Sequence, residues 1–301
     1  MQPEHLTEKP DTAFDDDVAA VAIENATKEN IMNKILSVAT GNMALLIALN
    51  ASGQGAPMAV PAESTIPAGP KGVAIREGKL LLTETHQRLP KNVGNKLNCT
   101  SCHLAGGTTA KASPWVGIWG VFPEYRARSG KVISLQERVN DCFERSMNGK
   151  ALAYNSVEMN NILAYMQWMS TGVPTGTAAK GRGFGPINQQ LTANSERGKA
   201  VYAAKCASCH GASGAGTKRP DGGVLFPAVW GKDSFNDGAG MARTFTAAAF
   251  VKHNMPLGQG GSMSDQEAVD VAEFFTHQPR PVYRNKAKDW PKGDKPKDAR
   301  R

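Results

Sequence analysis

Cys99-Thr-Ser-Cys102-His103 and Cys206-Ala-Ser-Cys209-His210 are two copies of one pattern, C-x-x-C-H. This spacing is the attachment signature of a c-type haem. The two thiols add across the porphyrin vinyl groups, and the adjacent His is held against the iron as its proximal ligand. Two covalently attached haem c groups are therefore expected, one on Cys99, Cys102 and His103, the other on Cys206, Cys209 and His210. Two other readings compete. A zinc site needs a fourth ligand, and a His abutting a Cys is awkward for chelation. A redox dithiol does not require the His.

Working outward from the two motifs, the chain reads as mainly α-helical with long loops. Ser134 and Glu137 form a capping box ahead of a helix over residues 134–148. On that helix Leu135, Val139, Cys142, Phe143 and Ser146 share one face by 3.6-residue spacing. Residues 73–89 read as a helix ended by Pro90, with a loose Pro/Gly/Ala-rich lead-in over residues 60–72. Asn155 with Glu158 is the expected cap of a helix running to about Met169. Ser195 opens a short helix through Lys205, and Ser264 with Glu267 caps a final one ending near Phe275. Residues 171–189 have turn and linker chemistry. The expected organisation is two tandem cytochrome c-like domains, each wrapped around one haem. Residues 60–175 form the first and residues 190–281 the second. Residues 282–301 read as a basic flexible tail.

The 301 residues carry a formal charge of +8, unevenly spread. Residues 1–31 hold eight acids and two bases, so the remainder carries +14. Such a chain attracts anions. Residues 35–49 are an uncharged, mostly apolar run preceded by Lys34 and followed by small residues to Ala59. That is the plan of a secretory signal, and the run is short for a membrane span. Residues 1–59 are thus a leader and export signal, with the signal core at about 32–59. Met32 stands where a start would fall. A buried core helix and an uncleaved anchor are the competing readings. Export agrees with covalent haem, so the expected location is the periplasm, with no stable membrane span and no nucleic-acid partner.

Each iron has a sixth position to fill. For the second haem the candidate is Met255, in Asn254-Met255-Pro256 ahead of the final helix, with Met263 and Met241 as competitors. Thioether ligation is an established cytochrome c pattern, whereas any Met can also be core filler. For the first haem the fifth cysteine, Cys142, is the informative residue, and Met147 is the nearest competing sulfur. A buried Cys is commonly just a small hydrophobe. Against that, Arg126, Arg128, Arg138 and Arg145 lie within 16 residues of Cys142. Arg138, Cys142 and Ser146 stand at i, i+4 and i+8. Nearby cations favour the thiolate.

The run Arg138-Val-Asn-Asp-Cys142-Phe-Glu-Arg145-Ser146-Met147-Asn148-Gly149 resembles the signature of the bacterial di-haem thiosulfate dehydrogenases. The resemblance extends from about Arg76 to Pro281 and includes Glu84-Thr-His86, both haem motifs and Asn254-Met255-Pro256-Leu257-Gly258. It implies a periplasmic oxidoreductase that joins two thiosulfates into tetrathionate. Two electrons then pass through two haems to a soluble or partner cytochrome c, or a similar high-potential acceptor. Some members run the reaction backwards as tetrathionate reductases. The resemblance further implies His103 and Cys142 on the active-site iron, His210 and Met255 on the exit iron, and anion binding by Arg128, Arg138 and Ser146. One departure is informative. Some relatives have a Lys before the Met as an alternative ligand, and here that position is Asn254, so ligand exchange should be absent. Two other functions stay open: a di-haem electron carrier without a substrate, and a haem/Cys sulfur-transfer subunit.

Overall fold

The computed structural model describes residues 58–300. The expected leader and its apolar run lie outside the described residues, and among these no helix is long and apolar enough to cross a membrane. The architecture is mainly helical. The principal helices are α1 (Gly69–Thr83), α2 (Leu135–Arg145), α3 (Val157–Trp168), α4 (Ser195–Lys205), α5 (Thr244–Asn254) and α6 (Asp265–Thr276). Two antiparallel ribbons accompany them, β1 (Glu124–Arg126) with β2 (Lys131–Ile133), and β3 (Thr217–Lys218) with β4 (Val224–Phe226).

The halves repeat one plan, in which the first and last helices cross: α1 packs on α3, and α4 on α6. Both crossings depend on a helical glycine. A Cβ on Gly78 would lie 2.0 Å from the Asn161 carbonyl oxygen, and one on Gly198 would lie 1.9 Å from that of Asp270. The next neighbours correspond as well, Tyr165 in one half and Phe274 in the other, each four residues beyond the carbonyl. Gly198→Ala is therefore expected to lower the thermal midpoint. The clash with backbone costs about 1–3 kcal/mol and outweighs the ~1 kcal/mol that Ala gains over Gly in an open helix. A melting curve of the haem-loaded protein checks this, and a raised midpoint would contradict the packing.

Helix termini follow the capping chemistry. Ser134 accepts from Glu137 N, with the Glu137 side chain returning to the Ser134 amide, and Ser264 with Glu267 repeats the arrangement. The third cap differs from expectation by one residue. Ser156, not Asn155, accepts from Met159 N and starts α3. Helix α1 also starts earlier than residue 73, because Pro70 suits the first turn of a helix. It breaks at Glu84 rather than running to Leu89. The break frees Thr85, which is wholly buried, to receive the Cys99 amide at 3.0 Å.

Two segments read as loose are fastened. In residues 171–189, Gly181 and Gly183 offer their carbonyls to the amides of Lys111 and Ser113 at 2.7 and 2.8 Å. Arg182 Nη2 lies 2.9 Å from both Glu124 carboxylate oxygens. Residues 282–300, read from composition as a flexible tail, pack across both halves. Arg145 and Arg128 reach Asp289 from one side, and Asp298 accepts from Phe245 N on the other.

Candidate haem sites and the Cys142 centre

Both motif histidines are oriented by the backbone. His103 Nδ1 donates to the Ser113 carbonyl at 2.6 Å, and His210 Nδ1 to the Pro227 carbonyl at 2.9 Å. A ligating His characteristically gives its other ring N–H to such an acceptor, which leaves Nε2 for the metal. Behind each motif a glycine four residues after the His admits a tryptophan. A Cβ on Gly107 would sit 2.0 Å from Trp115, and one on Gly214 2.2 Å from Trp230. The Gly107 and Gly214 carbonyls accept from Trp115 N at 2.8 Å and Trp230 N at 3.4 Å. Trp115 stacks on His103 with centroids 4.9 Å apart and planes at 29°.

These residues fit haem c. The five cysteines are unpaired. Among the described residues no cluster of three His, Cys, Asp or Glu could hold a bare metal ion. A closed zinc site is thereby disfavoured, whereas a porphyrin brings four nitrogens of its own. Burial pushes Cys99 and Cys102 up to about 12 and Cys206 up to about 11. Neutral sulfur is what such a pocket favours, and a thioether is neutral sulfur. Burial also drives His103 down to about 4, keeping the imidazole in its neutral, ligating form. Thr85 Oγ1 reaches Cys99 Sγ at 3.4 Å, and the Asn98 side chain accepts from His86 N at 3.1 Å. The Glu84-Thr-His86 segment thus pins the first attachment turn.

Helix α2 carries the remaining cysteine. Leu135, Val139 and Phe143 of the expected face are buried, whereas Cys142 and Ser146 are half-buried. Arg138 Nη1 donates to Cys142 Sγ at 2.9 Å. The Cys142 sulfur, in turn, holds the Arg138 guanidinium above its ordinary pKa. Arg138 also acts on His103, so the α2 pair and the histidine of the first C-x-x-C-H motif share one electrostatic neighbourhood. A second guanidinium comes from β1. Burial, then the like charge of Arg138, push Arg126 below its ordinary value. Arg126 leans on Glu124 at 3.4 Å, and Glu124 is braced by Arg182.

Arg128 is held by partners outside α2. Its Nη1 donates to the Gly238 carbonyl at 2.6 Å, its Nε lies 3.7 Å from Asp289, and its guanidinium covers the Trp290 ring at 4.7 Å. Ser146 is the C-cap of α2, with its amide on the Cys142 carbonyl and its own carbonyl accepting from Asn95 Nδ2 at 2.8 Å. Met255 is the half-buried C-cap of α5. Its competitors Met263 and Met241 are core residues, 1% and 8% exposed. Asn254 Nδ2 is held by the carbonyls of Lys111 and Phe250, both at 2.9 Å. His253 Nε2 donates to the Pro186 carbonyl at 2.9 Å.

Comparisons with known proteins bear on the family and the two cytochrome c domains. A family model described as SoxA/TsdA, cytochrome c domain, matches residues 90–175. Another, described as cytochrome c oxidase, cbb3-type, subunit III, matches residues 193–275. The chain is 54% identical over 80% of its length to a thiosulfate dehydrogenase of Psychrobacter arcticus, covering 74% of that protein. It is 46% identical over 77% of its length to that of Allochromatium vinosum, covering 87%. The solved thiosulfate dehydrogenase TsdBA of Marichromatium purpuratum superposes with a TM-score of 0.71 at 39% identity, over 75% of this chain. This chain spans half of that longer one. Two haem c sites on repeated helical frames, and identity of this extent, place the chain in the thiosulfate dehydrogenase family, as a tandem pair of c-type cytochrome domains.

Proposed function

We propose that the chain joins two thiosulfate ions into one tetrathionate and releases two electrons to an external cytochrome-type acceptor. The observation that carries this reading is the Arg138–Cys142 pair, a guanidinium donating at 2.9 Å to a sulfur in the SoxA/TsdA-type domain. A substrate-free electron carrier has no use for it.

His103 and Cys142 would hold the first haem, and His210 and Met255 the second. The haems, when bound, store one electron each and relay them to the acceptor. Thiosulfate is a compact dianion, and Arg138 and Arg126 offer it charge-assisted hydrogen bonds, each contributing about 1.5–3 kcal/mol. Ser146 adds a hydroxyl one turn beyond Cys142. In the first step the Cys142 thiolate and the outer sulfur of a thiosulfate form a sulfur–sulfur bond with loss of two electrons. The second thiosulfate attacks that outer sulfur. Tetrathionate leaves, and the Cys142 thiolate is restored.

Thiosulfate-dependent reduction of a cytochrome, with tetrathionate identified as product, tests the reading. Reduction without tetrathionate defeats it, as does thiosulfate transfer onto a carrier protein. The periplasm is the proposed location, since attachment of haem c and small anionic sulfur substrates both suit it.

Met255 carries its own prediction. The oxidised protein should show the weak near-infrared band of His/Met ferric haem, and Met255→Gly should abolish it. Reduction should not exchange the ligand. Asn254 offers an amide rather than an amine, and His253 is occupied by Pro186. Nitrogen–nitrogen ligation in the oxidised state, converting on reduction, would overturn this.

A further inference from the structure

Residues 282–300 lie beyond both family-model matches, which end at residues 175 and 275. The polar contacts of this segment nevertheless alternate between the two halves. Tyr283 N donates to Asp237 at 2.7 Å, and Lys286 pairs with the same carboxylate. Three residues later Asp289 crosses to the first half. It takes both terminal nitrogens of Arg145, at 2.7 and 2.8 Å, and its side chain is 6% exposed. The Trp290 amide then donates to the Arg128 carbonyl at 2.7 Å.

We propose that residues 283–290 clasp the two halves together, and that Asp289, acting through Arg145, is a positioning residue for helix α2 and its Cys142.

The charge pattern supports a specific register. The segment presents a base, Lys286, to an acid of the second half and an acid, Asp289, to bases of the first. A slip of three residues sets Lys286 against Arg145 or Asp289 against Asp237, and like charges at such positions repel. Bidentate carboxylate–guanidinium pairing fixes direction as well as distance. The rest of the seam lies on the same end of α2. Asn236 Nδ2 donates to the Glu144 carbonyl at 2.8 Å, and Asn236 N to that of Arg145 at 3.2 Å.

Arg145 follows Cys142 by three residues, so the two are neighbours on the helix surface. Asp289 turns the Arg145 guanidinium toward the C-terminal segment, where it also covers the Tyr283 ring at 4.2 Å. Arg138 is left as the donor to the Cys142 sulfur. Without the carboxylate, the neighbouring and largely buried Arg145 and Arg128 keep only Asp141, whose Oδ1 lies 3.7 Å from Arg145 Nε, as a nearby acid. Burial, then the Arg145 charge, already push Arg128 down to about 10. Losing the closer, bidentate partner of a buried pair leaves the other under-compensated and destabilises the position it holds. The element that moves with Arg145 is the last turn of α2.

The proposal rests on Cys142 being the sulfur at the first haem, and the test separates the two. Full-length, haem-loaded Asp289→Ala, Asp289→Asn and Asp289→Glu are compared with the wild type. The readouts are haem content by mass, the ferric electron paramagnetic resonance signal of each haem, and the kinetics of thiosulfate-driven reduction. Asp289→Ala and Asp289→Asn should keep both haems and an unchanged His/Met signal at the second. The first haem should split into two ferric populations, and kcat/KM should fall about tenfold or more, as expected for a displaced reactive group. Asp289→Glu should restore most of both. Should Asp289→Ala fail to mature, Asp289→Asn, which keeps the side-chain shape, decides. A single, unchanged first-haem signal in the Ala or Asn variant, with or without lowered thermal stability, overturns the proposal. A wild-type signal without thiolate character instead overturns the assignment of Cys142, and a wild type inert to thiosulfate overturns the proposed function.

Discussion

Cys142→Gly and Cys142→Ala should retain two covalent haems by mass and lose nearly all thiosulfate oxidation. Retention follows from the division of labour among the five cysteines. Cys99, Cys102, Cys206 and Cys209 form the two attachment motifs, and Cys142 lies outside both. The fold should also survive. Helix α2 is anchored by Leu135, Val139 and Phe143 and by the Ser134–Glu137 capping box, none of which involves the Cys142 sulfur. Removing a half-buried thiol leaves a small space that Arg138 can occupy. The loss of activity is expected to be large because the proposed function makes this sulfur the reacting atom. Groups that form the covalent bond typically cost at least about a thousandfold when removed. Turnover near the wild-type level in either variant would return Cys142 to the status of a buried apolar side chain.

The two C-x-x-C-H motifs predict the fold because they state chemistry directly, and the capping boxes at Ser134 and Ser264 state helix starts just as locally. What was not legible depends on residues distant in sequence. The Glu84 break cannot be read without knowing that Thr85 must meet Cys99. Ser113 and Pro227 contribute carbonyls, and any residue type has one, so sequence gives no sign that these two orient the histidines. A clue was present in the glycines four residues after each motif, Gly107 and Gly214, repeated in both halves. The contacts of residues 282–300 are hidden from composition for a related reason. Composition records that the segment is rich in Lys, Pro and Asp, but not that Asp289 meets two arginines 144 and 161 positions earlier. The same contact explains Arg128. The resemblance implies anion binding by Arg128; in the structure Arg126, the last residue of β1, is the guanidinium that feels the Arg138 charge, and Arg128, beyond the strand, lies over Trp290.

Arg138→Ala should lower kcat/KM for thiosulfate by roughly ten- to a hundredfold, the equivalent of one lost charge-assisted contact of about 1.5–3 kcal/mol. Two effects combine. The sulfur of Cys142 loses the donor now 2.9 Å away, and the incoming dianion loses a guanidinium. Arg126 remains, held by Glu124 and Arg182, so a residual anion site should persist. Arg138→Lys separates the two effects. An ammonium restores a positive charge but not the planar fork, so it should recover part of the substrate affinity and less of the geometry at sulfur. Because the partner is a dianion, wild-type kcat/KM should fall with rising ionic strength, and more steeply than that of Arg138→Ala, which has one charge fewer to screen. Thermal stability should change less than activity, since the apolar anchors of α2 are untouched. Steady-state kinetics at several salt concentrations, with haem content confirmed in each variant, measure all of this. An unchanged kcat/KM in Arg138→Ala would show that the pairing with Cys142 serves the fold alone.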